Sequence, residues 1–350
     1  MTSIDVLVIG AGQAGLAVGY HLRKTSFRFL LVDSGVRVGD SWRRRYDSLT
    51  LFTPRAMSAL PGLSLQGDPQ GYASRDEFAD YLETYARHFG FPLEMNMGIK
   101  RLERLNGHFR ATSVNGQEFE AQVVILANGG FQTPIIPPVS KNLSGHVQQF
   151  SAESYKNPSQ ILAGTVVVVG DGATGRDIAS ELAASHTVFL ATGKPRRLVP
   201  ERILGISTWW WLEKLGILTA PSESFVGKKL READAFPNRE RSLDDLRRKG
   251  IQILPKLTHA EGNTVIFANG ASVSVNSVVW AVGYKDDSDW VNIPEVKDVH
   301  GNFVHEHGVS PVRNLFFIGR PWQTSRASAI ILGVGRDAEG IANEITRSMR

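Results

Sequence analysis

One short pattern occurs twice in this chain, and few folds accommodate it. Asp5-Val6-Leu7-Val8-Ile9 is an apolar, β-branched run that ends in Gly10-Ala11-Gly12-Gln13-Ala14-Gly15. A helical stretch from Leu16 to Leu22 follows, and then a second strand from Phe27 to Asp33. The same order returns at Thr165. Val166 to Val169 lead into Gly170-Asp171-Gly172-Ala173-Thr174-Gly175, a helix through Ala184, and the strand Thr187 to Leu190. Strand, glycine turn, helix, strand is a βαβ unit. Two such units 160 positions apart suit a chain of 350 residues with two domains of ordinary size.

The glycine spacing has a chemical use in this context. The first glycine allows a tight turn, the second leaves room for a pyrophosphate, and the third lets helix and strand pack closely. The helix N-terminus then offers free N–H groups and a positive dipole to phosphate. In the first unit Gly10, Gly12, Gln13, Ala14 and Gly15 form that turn. Asp33, 18 positions after Gly15, can accept hydrogen bonds from ribose hydroxyls, with Ser34 beside it. In the second unit Gly170, Gly172, Ala173, Thr174 and Gly175 form the turn. No carboxylate stands at the end of its second strand. Thr192, Lys194, Arg196 and Arg197 are there instead. Donors and positive charge suit a 2′-phosphate, so this unit reads as an NADP site, with NADH possible. The other use for the same residues is a solvated basic loop.

Two further apolar strands end in Ala127-Asn128-Gly129 and in Ala281-Val282-Gly283-Tyr284, turns that bring backbone near a ligand. A last strand, Asn314 to Gly319, leads into a closing helix expected from about Ala327 to Ile345. Pro134 to Pro138 reads as a linker. Together these predict an α/β fold of two Rossmann-like, dinucleotide-binding domains. The expected division is 1–158 and 286–350 for FAD, with an inserted NAD(P)H domain at 159–285. The closing helix, from Ala329, would face the flavin pyrimidine, whose N1–C2=O region becomes negative on reduction. Arg320, Trp322 and Gln323 fall in a loop expected beside the flavin.

Composition removes other classes. There is no Cys, which excludes disulfide staples, thiolate metal sites and a redox dithiol. Lys+Arg 39 against Asp+Glu 35 leaves +4, spread over scattered clusters, so nucleic acid is not an expected partner. No apolar run approaches the ~18 residues of a spanning helix. The start, Met1-Thr2-Ser3-Ile4-Asp5, lacks a basic leader. A cytoplasmic protein is expected.

The ordered set of motifs resembles the flavin-containing monooxygenases, in their short bacterial branch found with cobalt–zinc–cadmium resistance genes. The resemblance runs through Gly10–Gly15, Gly39-Asp40-Ser41-Trp42, Arg45-Tyr46-Asp47-Ser48-Leu49 and Ala127-Asn128-Gly129. It continues through Ser144-Gly145, Ser151, Tyr155, Gly170–Gly175, Ala281–Tyr284 and Gly335-Arg336-Asp337. It implies that Ser41, Trp42, Gly129, Gly283, Tyr284 and Gly319 sit near the cofactors. It also implies a reaction. NAD(P)H reduces FAD, reduced flavin captures O₂ as a C4a-hydroperoxide, and a small N, S or carbonyl substrate is oxygenated. The alternative on the same two domains is a Cys-free FAD/NADPH electron-transfer reductase of the ferredoxin–NADP reductase kind. The family fingerprint is altered here: Leu143 replaces a Phe, and Ser151 replaces a His before the retained Tyr155. That disfavours a Baeyer–Villiger enzyme. Phe52 stands where relatives often carry an Asn near the flavin, which implies a short-lived hydroperoxide. Gly193 stands where relatives often carry an Arg.

Other features have plainer readings. Trp209-Trp210-Trp211 predicts an aromatic helix buried in its own domain or in a homodimer interface, with a substrate channel or a partner or membrane surface as the other uses. His305-Glu306-His307 predicts a solvated hairpin rather than a metal site.

Overall fold

The computed structural model describes residues 2–196, 198–233 and 236–349. Arg197 therefore lies outside the described residues. The first sheet grows from strand β1 (Thr2–Ile9), followed by helix α1 (Gln13–Leu22) and strand β2 (Phe29–Val32). β1 pairs in parallel with β2, Ile9 opposite Val32. Helix α2 (Asp40–Arg43) and helix α3 (Arg75–Phe89) come next. They are followed by β3 (Leu93–Glu94), β4 (Ile99–Leu105), β5 (His108–Ser113) and β6 (Glu118–Leu126). The sheet order is β3-β2-β1-β6-β5-β4, with the late strand Leu315–Phe317 also on β6. β6 serves two neighbours because it is long. Its first half pairs antiparallel with β5, Phe109 opposite Ala121, and its second half pairs in parallel with Leu315–Phe317.

The central parallel segments, residues 6–9, 29–32 and 123–126, are apolar because both faces are covered, whereas β4 and β5 alternate with polar residues. Val6 and Val8 pack with α1, α3 and the closing helix, whereas Leu7 and Ile9 pack on the other side with Phe119, Val124 and Phe317.

Two linkers lead out and back. β7 (Thr133–Pro134) pairs antiparallel with Tyr284–Lys285. The expected proline linker is thus a short strand followed by a 3₁₀ turn at Pro138–Asn142. The second sheet is five-stranded and parallel. It contains β8 (Gln148–Ser151), β9 (Thr165–Val169) and β10 (Thr187–Ala191), with helix α4 (Ala173–Leu182) between the last two. Its order is Gln252–Leu254, β10, β9, Ser277–Trp280, β8. β8 joins this sheet although it precedes residue 159, because Gln148 to Ser151 register against Ser277 to Trp280. Val166 and Val168 face one core, Val167 and Val169 the other.

The chain's end differs from expectation. Ser325 accepts a bond from the Ala327 N–H, and Arg326–Ala329 forms a 3₁₀ turn. Ile330 is extended (φ −129°), and the helix runs only from Ile331 to Ser348. The Ser325 cap starts this short turn, and the extended Ile330 separates it from the α-helix. Among the described residues no helix is long and apolar enough to cross a membrane.

Candidate dinucleotide sites

The first glycine turn has two kinds of glycine. Gly10 has φ +111°, and a Cβ there would lie 2.5 Å from the Ala127 carbonyl oxygen. A Cβ on Gly15 would lie 1.9 Å from the Gly10 carbonyl oxygen. The fold itself requires both. Gly12 is different. Its φ of −74° suits any residue, and a Cβ would meet no protein atom within 4 Å. It caps α1 with no side-chain hydrogen bond, so no capping side chain satisfies the first-turn N–H groups. The geometry fits a pyrophosphate approaching the backbone at that point.

Asp33 braces this turn. The Ala11 N–H donates to Asp33 Oδ2 at 2.7 Å and the Gly35 N–H to Oδ1 at 2.7 Å. The half-buried carboxylate keeps further lone pairs for ribose. Gln13 accepts from Trp42 Nε1 at 3.1 Å, which brings α2 onto the mouth of α1. Gly319 (φ +77°) closes from the chain's end, where a Cβ would lie 2.8 Å from that of the buried Ala14. Ser34 and Ser41 are exposed at the rim. The backbone of Ala329 belongs to the 3₁₀ turn rather than to the helix start.

Arg320 is buried and tied back. It donates to the Gly129 carbonyl at 3.1 Å, pairs with Asp286, and lies 5.5 Å over the Phe303 ring. Gln323 is buried as well, accepting from the Arg320 N–H at 3.4 Å and donating to the His307 carbonyl. Trp322 has φ +60° and stands between Arg231 and Arg326, at 5.0 and 5.8 Å. These three form a fastened loop, not a row of free side chains. His305 packs on Phe317 and Glu306 pairs with Val309, so the His-Glu-His stretch is a hairpin. Among the described residues no group of three His, Cys, Asp or Glu could hold a metal.

The second turn repeats the first. Gly170 has φ +108°, with its Cβ position 2.4 Å from the Ala281 carbonyl oxygen, and Gly175 would meet the Gly170 carbonyl oxygen at 1.8 Å. Gly172 again caps a helix, α4, and again faces open space. Ala173 and Thr174 open that helix at the surface. A cavity of about 410 Å³ opens here, lined by Asp171, Arg176, Thr192, Gly193, Lys194 and Arg196 among others. Lys194 is exposed, and Thr192 spends its hydroxyl proton on the Leu254 carbonyl at 3.0 Å. The Asp171 carboxylate, buried at the floor, meets Arg176 at 3.2 Å and Arg196 at 3.8 Å. Neither Asp171 nor Arg176 was singled out from sequence. The signal was a charged residue inside a glycine turn.

A small apolar cluster is drawn from distant segments: Met57, Trp209, Leu218, Ala327 and Ile330, with Phe52 stacked on Trp209 at 5.6 Å. Phe52 also borders Ala173 at the start of α4. Trp209 is buried, while Trp210 and Trp211 are only half-buried. Tyr284 accepts from Arg45 Nη1 at 2.7 Å, and the Gly283 carbonyl accepts from Ile135. Tyr155 is buried and donates to Glu181 on α4 at 2.8 Å; burial, then Glu181, holds its phenol far above the usual range. Ser151 only caps the turn at Glu153 and Ser154.

This arrangement agrees with what the chain resembles. Residues 7–201 match the family described as pyridine nucleotide-disulphide oxidoreductase. An uncharacterized CzcO-like oxidoreductase of Geobacillus kaustophilus is 43% identical, the match covering 98% of each chain. An uncharacterized CzcO oxidoreductase of Bacillus subtilis is 37% identical over 97% of this chain and 99% of that one. Among solved structures, a flavin-containing monooxygenase from Stenotrophomonas maltophilia superposes with a TM-score of 0.85 over all of both chains, at 21% identity. The chain belongs to the pyridine nucleotide-disulphide oxidoreductase family and, within it, to the CzcO-like oxidoreductases.

Proposed function

We propose that this chain is an FAD-dependent monooxygenase that draws electrons from NAD(P)H, with NADPH preferred. The observation that carries the reading is the pair of open glycine cradles, Gly12 and Gly172, at two helix N-termini in one chain. FAD would lie on the first, along Gly10 to Gly15, with Asp33 for its ribose. NADPH would lie on the second, with Lys194 and Arg196 for its 2′-phosphate. Residues 1–158 and 286–350 then serve FAD and 159–285 serve NAD(P)H, with β8 of the first segment completing the second sheet. The fold shared with a flavin-containing monooxygenase supports the reaction class.

The chemistry supplied by bound FAD is two-electron transfer from NAD(P)H to O₂, with one oxygen atom delivered to a small N, S or carbonyl substrate and the other leaving as water. The protein's part is placement and exclusion of solvent. The dipoles of α1 and α4 hold the two pyrophosphates. Phe52, Trp209, Met57 and Ile330 form an apolar cluster beside Ala173 that would keep water from that end of the second cradle. With no Cys in the chain, no dithiol can take the electrons instead.

The test begins with the purified full-length protein and its bound flavin. Under anaerobic conditions NADPH should reduce the flavin faster than NADH. Arg196→Ala should lower kcat/KM for NADPH about tenfold and leave NADH nearly unchanged, as loss of one charge-assisted phosphate contact predicts. In air, NADPH oxidation should be matched by O₂ uptake. Absence of flavin, or slow O₂ uptake beside fast reduction of a ferredoxin, would overturn the proposal.

A further inference from the structure

The two glycine turns carry the same internal brace, built in opposite directions. In the first unit the carboxylate sits just after β2. Asp33 reaches back and accepts from the Ala11 N–H of the turn at 2.7 Å. In the second unit the carboxylate sits on the turn. Asp171 reaches forward and accepts from the Gly193 N–H just past β10 at 3.2 Å. The strand registers fix the correspondence. Ile9 pairs with Val32 and Val169 with Ala191, so Asp33 and Thr192 occupy the same position, and so do Ala11 and Asp171.

The exchange has an electrostatic consequence. Asp33 is half-buried, with two backbone donors and, among the described residues, no ion pair within 4 Å, so its negative charge stays on the ribose side. Asp171 is 4% exposed, and its charge is met from below by Arg176, which is 2% exposed. Arg176 is fixed in turn by bonds to the carbonyls of Asp171 at 2.8 Å and Arg241 at 2.7 Å. Position 192 is therefore free to carry a neutral Thr, and the ribose side of the cavity is left to Lys194 and Arg196. A dianionic phosphate is repelled by a carboxylate at that point and attracted by the basic loop.

We propose that Asp171 is the specificity-determining residue of the second site. By taking over the brace from the turn side, it removes the carboxylate that would otherwise stand against a 2′-phosphate, and it holds Gly193 to Arg196 in place for one. The inference rests on the reading of this site as the NADPH site and explains how the preference is built. Asp171 acts through Gly193 and Arg196, so it is a positioning residue.

The experiment titrates the full-length protein with 2′,5′-ADP and with 5′-ADP, and records thermal unfolding of each variant. Wild type should bind 2′,5′-ADP at least about tenfold more tightly, the scale of one charge-assisted phosphate site. Equal binding would sink the NADPH reading itself. The double variant Asp171→Ala with Thr192→Asp rebuilds the first unit's brace in the second. It should reverse the preference and unfold at a higher temperature than Thr192→Asp alone, which sets two carboxylates side by side. A wild-type preference that survives the double variant, with the first arm positive, would overturn the role of Asp171 and spare the site. Asp171→Asn guards against misfolding, since it keeps an oxygen for the Gly193 N–H. It should retain the preference for 2′,5′-ADP, whereas Asp171→Ala should lose most of it. If Asn and Ala behave alike, the brace is not the cause.

Discussion

At Gly12 and Gly172 a methyl group would touch no protein atom, so an alanine there probes the ligand rather than the fold. Gly12→Ala should leave apoprotein stability within about 0.5 kcal/mol of wild type, the range of uncrowded surface changes. It should weaken FAD binding about tenfold or more, because the methyl stands where a pyrophosphate must approach. Gly172→Ala should keep FAD and lose NADPH affinity to a similar degree. Gly10→Ala is the contrasting case. With φ +111° and a carbonyl oxygen 2.5 Å from the new Cβ, it should cost about 1–3 kcal/mol before any ligand is added. Equilibrium unfolding and flavin retention on gel filtration measure both effects. At this scale the sequence was informative where chemistry is local. The two turns, Asp33, and the basic residues after β10 could all be read from spacing. Arg320 could not. Its partners, Asp286 and the Gly129 carbonyl, are 34 and 191 positions away, and only the fold brings them together.

Among the elements, parallel strands were legible because burial on both faces makes them continuous apolar runs. Helix α3 carries a readable signal in the Ser74–Glu77 capping box, with Phe78, Leu82 and Tyr85 on its buried face. The closing helix starts later than expected because Ser325 and Ser328 cap a local turn that competes with helix. That turn is held from below by Asp337 on the closing helix. Its carboxylate, 5% exposed, accepts from the Thr324 hydroxyl at 2.6 Å, near Ser328, His307 and Arg336. Burial raises its pKa, an effect partly offset by the Thr324 and Ser328 hydrogen bonds. A raised carboxyl pKa means that the folded state favours the protonated form. The stabilisation is complete below the unfolded carboxyl value, about 3.9, and is lost as pH rises through the higher folded value. Asp337→Asn keeps an acceptor for Thr324 without the charge. It should raise the Tm at pH 7, and the gain should shrink as pH falls toward about 4. A gain independent of pH would contradict this account.

Across the whole molecule, residues 44–50 bind the two sheets together. Tyr46 packs in the core of the second sheet beside Tyr155 and Ile178, and its hydroxyl donates to Asp177 on α4 at 3.0 Å. Arg241 meets the other Asp177 oxygen at 3.2 Å, and Arg45 reaches Tyr284. Tyr46→Phe should cost about 1 kcal/mol, the worth of one buried hydrogen bond. It should leave both cofactor affinities unchanged and slow anaerobic flavin reduction several-fold, about 3- to 10-fold, because hydride transfer depends on alignment across the junction. Rapid mixing shows whether electrons entering at the second cradle reach oxygen through the first. Full-length protein is reduced anaerobically with one equivalent of NADPH and mixed with O₂ while its spectrum is followed. The account predicts a transient spectrum, distinct from both reduced and oxidised flavin, that decays to the oxidised form. Return to oxidised flavin in a single step, with faster reoxidation by a ferredoxin than by O₂, would contradict it.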